Sequence, residues 1–123
     1  MRDARTYHAM ADIKTLNEFD FHSTLARTSG TSIVLFSYSG CSSCRRWKIL
    51  LREYLDGRAG AAVFEVDAQR DQGLTRNFSV FHLPALFLYH DGRYHGALQC
   101  EARLDALDRT ITTTLSMPAE DPP

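Results

Sequence analysis

Apolar residues along the chain fall into short runs and helix-spaced sets, broken by glycine, proline and polar turns. Ile33 to Phe36 is an unbroken apolar run, as expected of a strand buried on both faces. It forms the middle of a strand predicted from Thr31 to Tyr38. Ser39 and Gly40 are turn formers, and beyond them Cys44, Trp47, Leu50, Leu51, Tyr54 and Leu55 recur at helical spacing. That stripe predicts a helix from Cys41 to about Leu55, stopped at Asp56-Gly57, where glycine suits a left-handed C′ position. Ala61 to Asp67 predicts another mostly buried strand, and Ala68 to Phe78 a polar helix weakened by Gly73. Leu86 to Tyr89 and Tyr94 to Leu98, joined through Asp91-Gly92, predict an antiparallel hairpin entered through Pro84. Leu104, Leu107, Ile111 and Leu115 predict a last helix from about Glu101 to Leu115.

Upstream, Ile13 to Leu16 predicts a short strand. Phe19, Phe21 and Leu25 predict a first helix from Asn17, its N-cap, to about Arg27, and Ser29-Gly30 a turn after it. Residues 1–11 carry no periodicity and are expected to form a loose N-terminal arm. The three prolines of the stretch from Met117 to Pro123 predict a disordered tail. Residues 12–116 are expected to be the single folded domain. Strands alternating with helices demand right-handed crossovers and parallel pairing, and the closing hairpin adds an antiparallel edge. The expected fold class is therefore α/β, a mixed central sheet with helices on both faces.

Composition narrows the function classes. The chain has 123 residues, enough to bury its own core, and 44% of them are hydrophobic. A net charge of −1 makes no electrostatic case for nucleic acid or an acidic membrane surface as partner. No stretch reaches the roughly 18 apolar residues of a membrane span. The first residues lack the apolar core of a secretory signal peptide. Three cysteines are too few for a secreted disulfide framework. These features set the expectation of a cytoplasmic monomer.

The chemistry sits where the buried strand meets the cationic start of its helix. Cys41 and Cys44 are two residues apart, with Arg45, Arg46 and Lys48 after them. A helix N-terminus presents unpaired N–H groups and the positive end of the macrodipole, and both favour a thiolate. Cys41 is thus the expected attacking thiol and Cys44 the resolving one, within reach for a small disulfide. A zinc or iron–sulfur site would want four ligands, and the chain has no second Cys-x-x-Cys and no His-x-x-x-His. No metal, nucleotide or prosthetic group is called for.

From about Ile13 to Leu115 the chain resembles the thioredoxin family in element order and spacing. The resemblance is carried by Phe19, Ile33-Val34-Leu35-Phe36, Cys41-Ser42-Ser43-Cys44, Val66-Asp67, Phe78, Val80, Leu83-Pro84, Asp91-Gly92 and Gly96-Ala97. It implies a thioredoxin-like fold and thiol–disulfide exchange with protein disulfide substrates, followed by re-reduction by a thiol reductant or reductase. It further implies a cis Pro84 facing the cysteines and a backbone at Leu83 that pairs with substrate. A flat apolar surface would be formed around the pair by Gly40, Leu83, Gly96 and Ala97.

The departures from the family pattern are specific. Gly40-Cys41-Ser42-Ser43-Cys44 stands where thioredoxins usually have Trp-Cys-Gly-Pro-Cys, and Ile49 where they have a helix-kinking proline. Leu35 and Val63 occupy the positions of the family's buried Asp and its Lys, which removes the usual proton acceptor for the resolving cysteine. Beside the oxidoreductase stands a second possibility, a thioredoxin-like binding or chaperone-type module without turnover. A redox sensor is a third. For several residues two roles stay open. His82 is either a solvent-exposed loop residue or a neighbour of Cys41. Glu65 either substitutes as base or points to the outer face. Cys100 is either inert or a regulatory thiol. Arg45 and Arg46 read as a solvated face, and Trp47 as packing.

Overall fold

The structure, a computed structural model, describes residues 12–123; the arm expected over residues 1–11 lies outside the described residues. The elements in chain order are β1 (Lys14–Leu16), α1 (Phe21–Ala26), β2 (Thr31–Ser37), α2 (Ser42–Leu55), β3 (Ala61–Asp67), α3 (Gln72–Asn77), β4 (Ala85–His90), β5 (Arg93–Leu98) and α4 (Leu104–Ser116). The five strands form one sheet in the order β1-β3-β2-β4-β5. β3 runs parallel to both β1 and β2, whereas β4 is antiparallel to β2 and to β5. This is the α/β architecture and mixed sheet expected from the pattern.

Alternation along the strands divides the core into two layers. One layer joins Ile33, Leu35, Val63, Leu86 and Leu88 to the buried stripe of α2 and to Leu107 and Ile111 of α4. The other joins Val34, Phe36, Phe64, Val66, Phe87 and Tyr89 to Phe21 and Leu25 of α1, Leu74 of α3 and Phe78. Leu51 and Leu107 are fully buried; truncating such a leucine to alanine costs about 2–5 kcal/mol.

Three expectations shift. The first helix begins at Phe21, because Asn17 caps the turn before it. The Asn17 side-chain oxygen accepts from the N–H groups of Phe19 and Asp20, and Asp20 Oδ1 accepts from the Asn17 N–H. This reciprocal pair has the form of a capping box. Phe19 lies on the outside of that turn, 90% exposed, and so does not serve the core as its apolar spacing suggested. The tail from Met117, expected to be disordered, has no helix or strand, yet its Glu120 N–H donates to the His95 carbonyl at 2.8 Å. His95 Nε2 also contacts the carbonyls of Thr114 and Met117, so β5, the end of α4 and the tail meet at one side chain.

Candidate redox-active site

β2 ends at Ser37, and the loop Tyr38 to Gly40 turns the chain into α2 with Cys41 as N-cap. A Cβ at Gly40 would come within 2.6 Å of the Tyr38 ring, which would have to swing aside. Arg45 secures the same loop, its guanidinium donating to the Ser39 carbonyl at 3.1 Å. Both Arg45 and Arg46 are otherwise solvent-facing, as expected.

Cys41 has extended backbone, and its sulfur accepts the backbone N–H of Cys44 at 3.1 Å. The N-cap position therefore aims an unpaired helix donor at sulfur, which stabilises a thiolate there when the pair is reduced. Cys41 and Cys44 are joined as a disulfide with Cα atoms 5.2 Å apart. Their surroundings differ. Cys41 is half-buried and reachable, whereas Cys44 is 1% exposed and belongs to the inward stripe of α2. That asymmetry fits an attacking thiol and a protected resolving thiol.

The Leu83–Pro84 peptide is cis and stands at the entry of β4. Ala85 pairs with Phe36 at the motif end of β2, so Leu83, Pro84 and the cysteine loop arrive at the same end of the sheet. A cavity of about 360 Å³ there is lined by His82, Pro84, Ala97 and Gln99, among others. Phe81 also lines it and is 83% exposed. His82 is exposed, in keeping with the simpler of its two expected roles.

Of the expected docking residues, Gly40, Leu83, Pro84 and Ala97 come to this end, and Gly96 does not. Gly96 is buried in the middle of β5 opposite Leu88, where a Cβ would meet the Glu120 carboxylate of the tail. Gln99, to which no role was assigned, takes the place by the cavity. A register shift between Leu88 and Tyr89 displaces β5 against β4, and residue spacing alone does not reveal it. Cys100 lies just beyond Leu98, the partner of Leu86, and thus at the same end of the sheet.

The thioredoxin family model matches residues 12–113, most of the chain. The chain belongs to the thioredoxin family. Among solved structures it is similar to a mutant thioredoxin from Halobacterium salinarum NRC-1. The TM-score is 0.68 at 17% identity, covering 91% of this chain and 96% of that one. At that identity the likeness speaks for the fold. Thioredoxin-domain proteins are usually thiol–disulfide oxidoreductases, and this thioredoxin-family chain carries its close Cys-x-x-Cys pair at the helix start.

Beneath the pair lies a polar group that sequence reasoning left undecided. Leu35 and Val63 are fully buried and apolar. Glu65 follows Val63 by two residues and so faces α2 rather than the outer side. Its Oε2 accepts from the Ser37 hydroxyl at 2.5 Å and lies 3.2 Å from Lys48 Nζ. Among the described residues no cluster of His, Cys, Asp or Glu is grouped to hold a metal ion, and no helix is long and apolar enough to cross a membrane.

Proposed function

We propose that this protein is an enzyme, a thiol–disulfide oxidoreductase that exchanges disulfides with protein substrates through Cys41 and Cys44. One observation carries the reading above others: a reachable Cys41 at the N-cap of α2 is bonded to a buried Cys44 one turn into the helix. In the reduced protein, the Cys41 thiolate attacks a substrate disulfide, forms a mixed disulfide and expels one substrate thiolate. Cys44 then attacks Cys41, releases the second substrate thiolate and closes the Cys41–Cys44 disulfide. The substrate disulfide gains two electrons and the dithiol loses them. A second thiol or a reductase returns the protein to the dithiol.

Pro84, Ala97 and the exposed Phe81, which line the cavity, form the docking surface in this scheme together with Gly40 and Leu83 at the same end of the sheet. A reducing compartment such as the cytoplasm suits the scheme, because the dithiol must be regenerated. A single chain carries every group it needs.

The test is trapping. A Cys44→Ser variant, incubated reduced with insulin, should accumulate a covalent adduct through Cys41 that reducing agent dissolves. Cys41→Ser should give none. Absence of an adduct with Cys44→Ser, while the folded protein still binds a partner, would favour the binding module instead.

A further inference from the structure

Resolution of the mixed disulfide requires Cys44 to lose its proton, since only the thiolate attacks. What takes that proton is a question that rests on the function proposed above. Leu35 and Val63, buried in the layer under α2, carry no group able to accept one. The register of the sheet puts a carboxylate beside them: Leu35 pairs with Glu65 across β2 and β3. The Glu65 side chain is 18% exposed and turned toward α2, held by the Ser37 hydroxyl and by Lys48. Lys48 stands one helical turn after Cys44. Cys44, Ser37, Lys48 and Glu65 line one cavity of about 300 Å³. That volume holds several waters, each occupying about 30 Å³.

We infer that Glu65 is the proton acceptor for Cys44, reached through water in this cavity, with Lys48 and Ser37 as positioning residues that hold its carboxylate. In the step, the Cys44 S–H proton passes through water to Glu65, and the Cys44 electron pair forms the bond to Cys41 Sγ. The Cys41–substrate S–S bond breaks, and the departing thiolate takes its electron pair. The proton on Glu65 then goes to that thiolate or to solvent. The other titratable or charged groups lining the cavity are Arg45 on α2, Asp67 on β3 and Tyr38 in the loop after β2, and Asp12, ahead of β1, interacts electrostatically with Lys48. β1 sets only Thr15, which does not titrate, beside Glu65.

The test uses the full chain in a Cys100→Ser background, reduced and mixed with 5,5′-dithiobis(2-nitrobenzoate). Attack by Cys41 releases one nitrothiobenzoate, and resolution by Cys44 releases a second, so the two steps are read separately. Glu65→Gln should slow the second release about 100-fold at pH 7, the low end for a positioned base, and leave the first unchanged. The deficit should close toward about pH 9, where a thiol ionises unaided. Glu65→Asp should recover part of the rate. Lys48→Met should slow the second release in part and leave the first unchanged, since it loosens the hold on the carboxylate. A second release that Glu65→Gln leaves unchanged at pH 6–7, or slows equally at every pH, overturns the inference. So does a second release as fast in Lys48→Met as in the parent, should Glu65→Gln not fold. If the parent releases only one equivalent, the oxidoreductase reading itself fails.

Discussion

Cys100 and Cys41 show how much a thiol owes to its surroundings. Burial pushes the Cys100 thiol above its usual value of 9.0, the negative charge of Glu101 adds to the rise, and a hydrogen bond with Thr110 opposes it. Cys41 instead sits at a helix N-terminus with the Cys44 N–H on its sulfur. A raised value means fewer thiolates at neutral pH, so Cys100 should react more slowly than an ordinary free cysteine. In the reduced protein at pH 7, iodoacetamide should label Cys41 before Cys100. The Cys100 rate should keep rising through about pH 9. Peptide mass mapping over time gives the order directly, and faster labelling of Cys100 would contradict it. At this scale the cysteine pair was legible from spacing, whereas two other residues were not. Phe19 looks like a core residue by periodicity, but its capped turn aims it at solvent. Glu65 could be placed only once Val63 fixed the face of β3.

Among the elements, the glycine positions separate backbone conformation from close packing. Gly57 follows α2 at φ +81° with open space around it, and Gly92 closes the β4–β5 hairpin at φ +82°. Gly92 and Asp91, also at positive φ, make the two-residue turn that hairpins favour. A Cβ at Gly92 would come within 2.5 Å of the Ala26 carbonyl oxygen. Gly57→Ala should therefore cost about 1–2 kcal/mol, the left-handed penalty alone. Gly92→Ala should cost distinctly more, because α1 must also move away. Urea unfolding of the two variants measures the difference, and equal losses would show that the contact relaxes freely. Most elements were legible because their signals are local. β3 matches its expected ends, and the expected α2 stripe is buried throughout. The polar helix is shorter than expected, because it starts only at Gln72 after a turn over Ala68 to Arg70. The bulge between β4 and β5 depends on tertiary pairing and left no mark in the spacing.

For the whole molecule, sheet order decides what meets what. Placing β2 between β3 and β4 brings the cysteine loop, the Leu83–Pro84 peptide and Glu65 to one end of the sheet from three separate parts of the chain. The parallel crossovers and closing hairpin were readable from element order. The burial of Gly96 under the tail was not, since it depends on where the tail crosses β5. The proposed function stands on Cys41 and Cys44 forming a reversible redox pair. Its most direct test is equilibration of the full chain in glutathione buffers of graded poise, followed by alkylation and mass measurement. An internal Cys41–Cys44 disulfide should form and disappear as a single two-electron transition, within the span of about −120 to −270 mV of redox-active pairs. Two free thiols at every poise, or glutathione adducts without an internal disulfide, would contradict it.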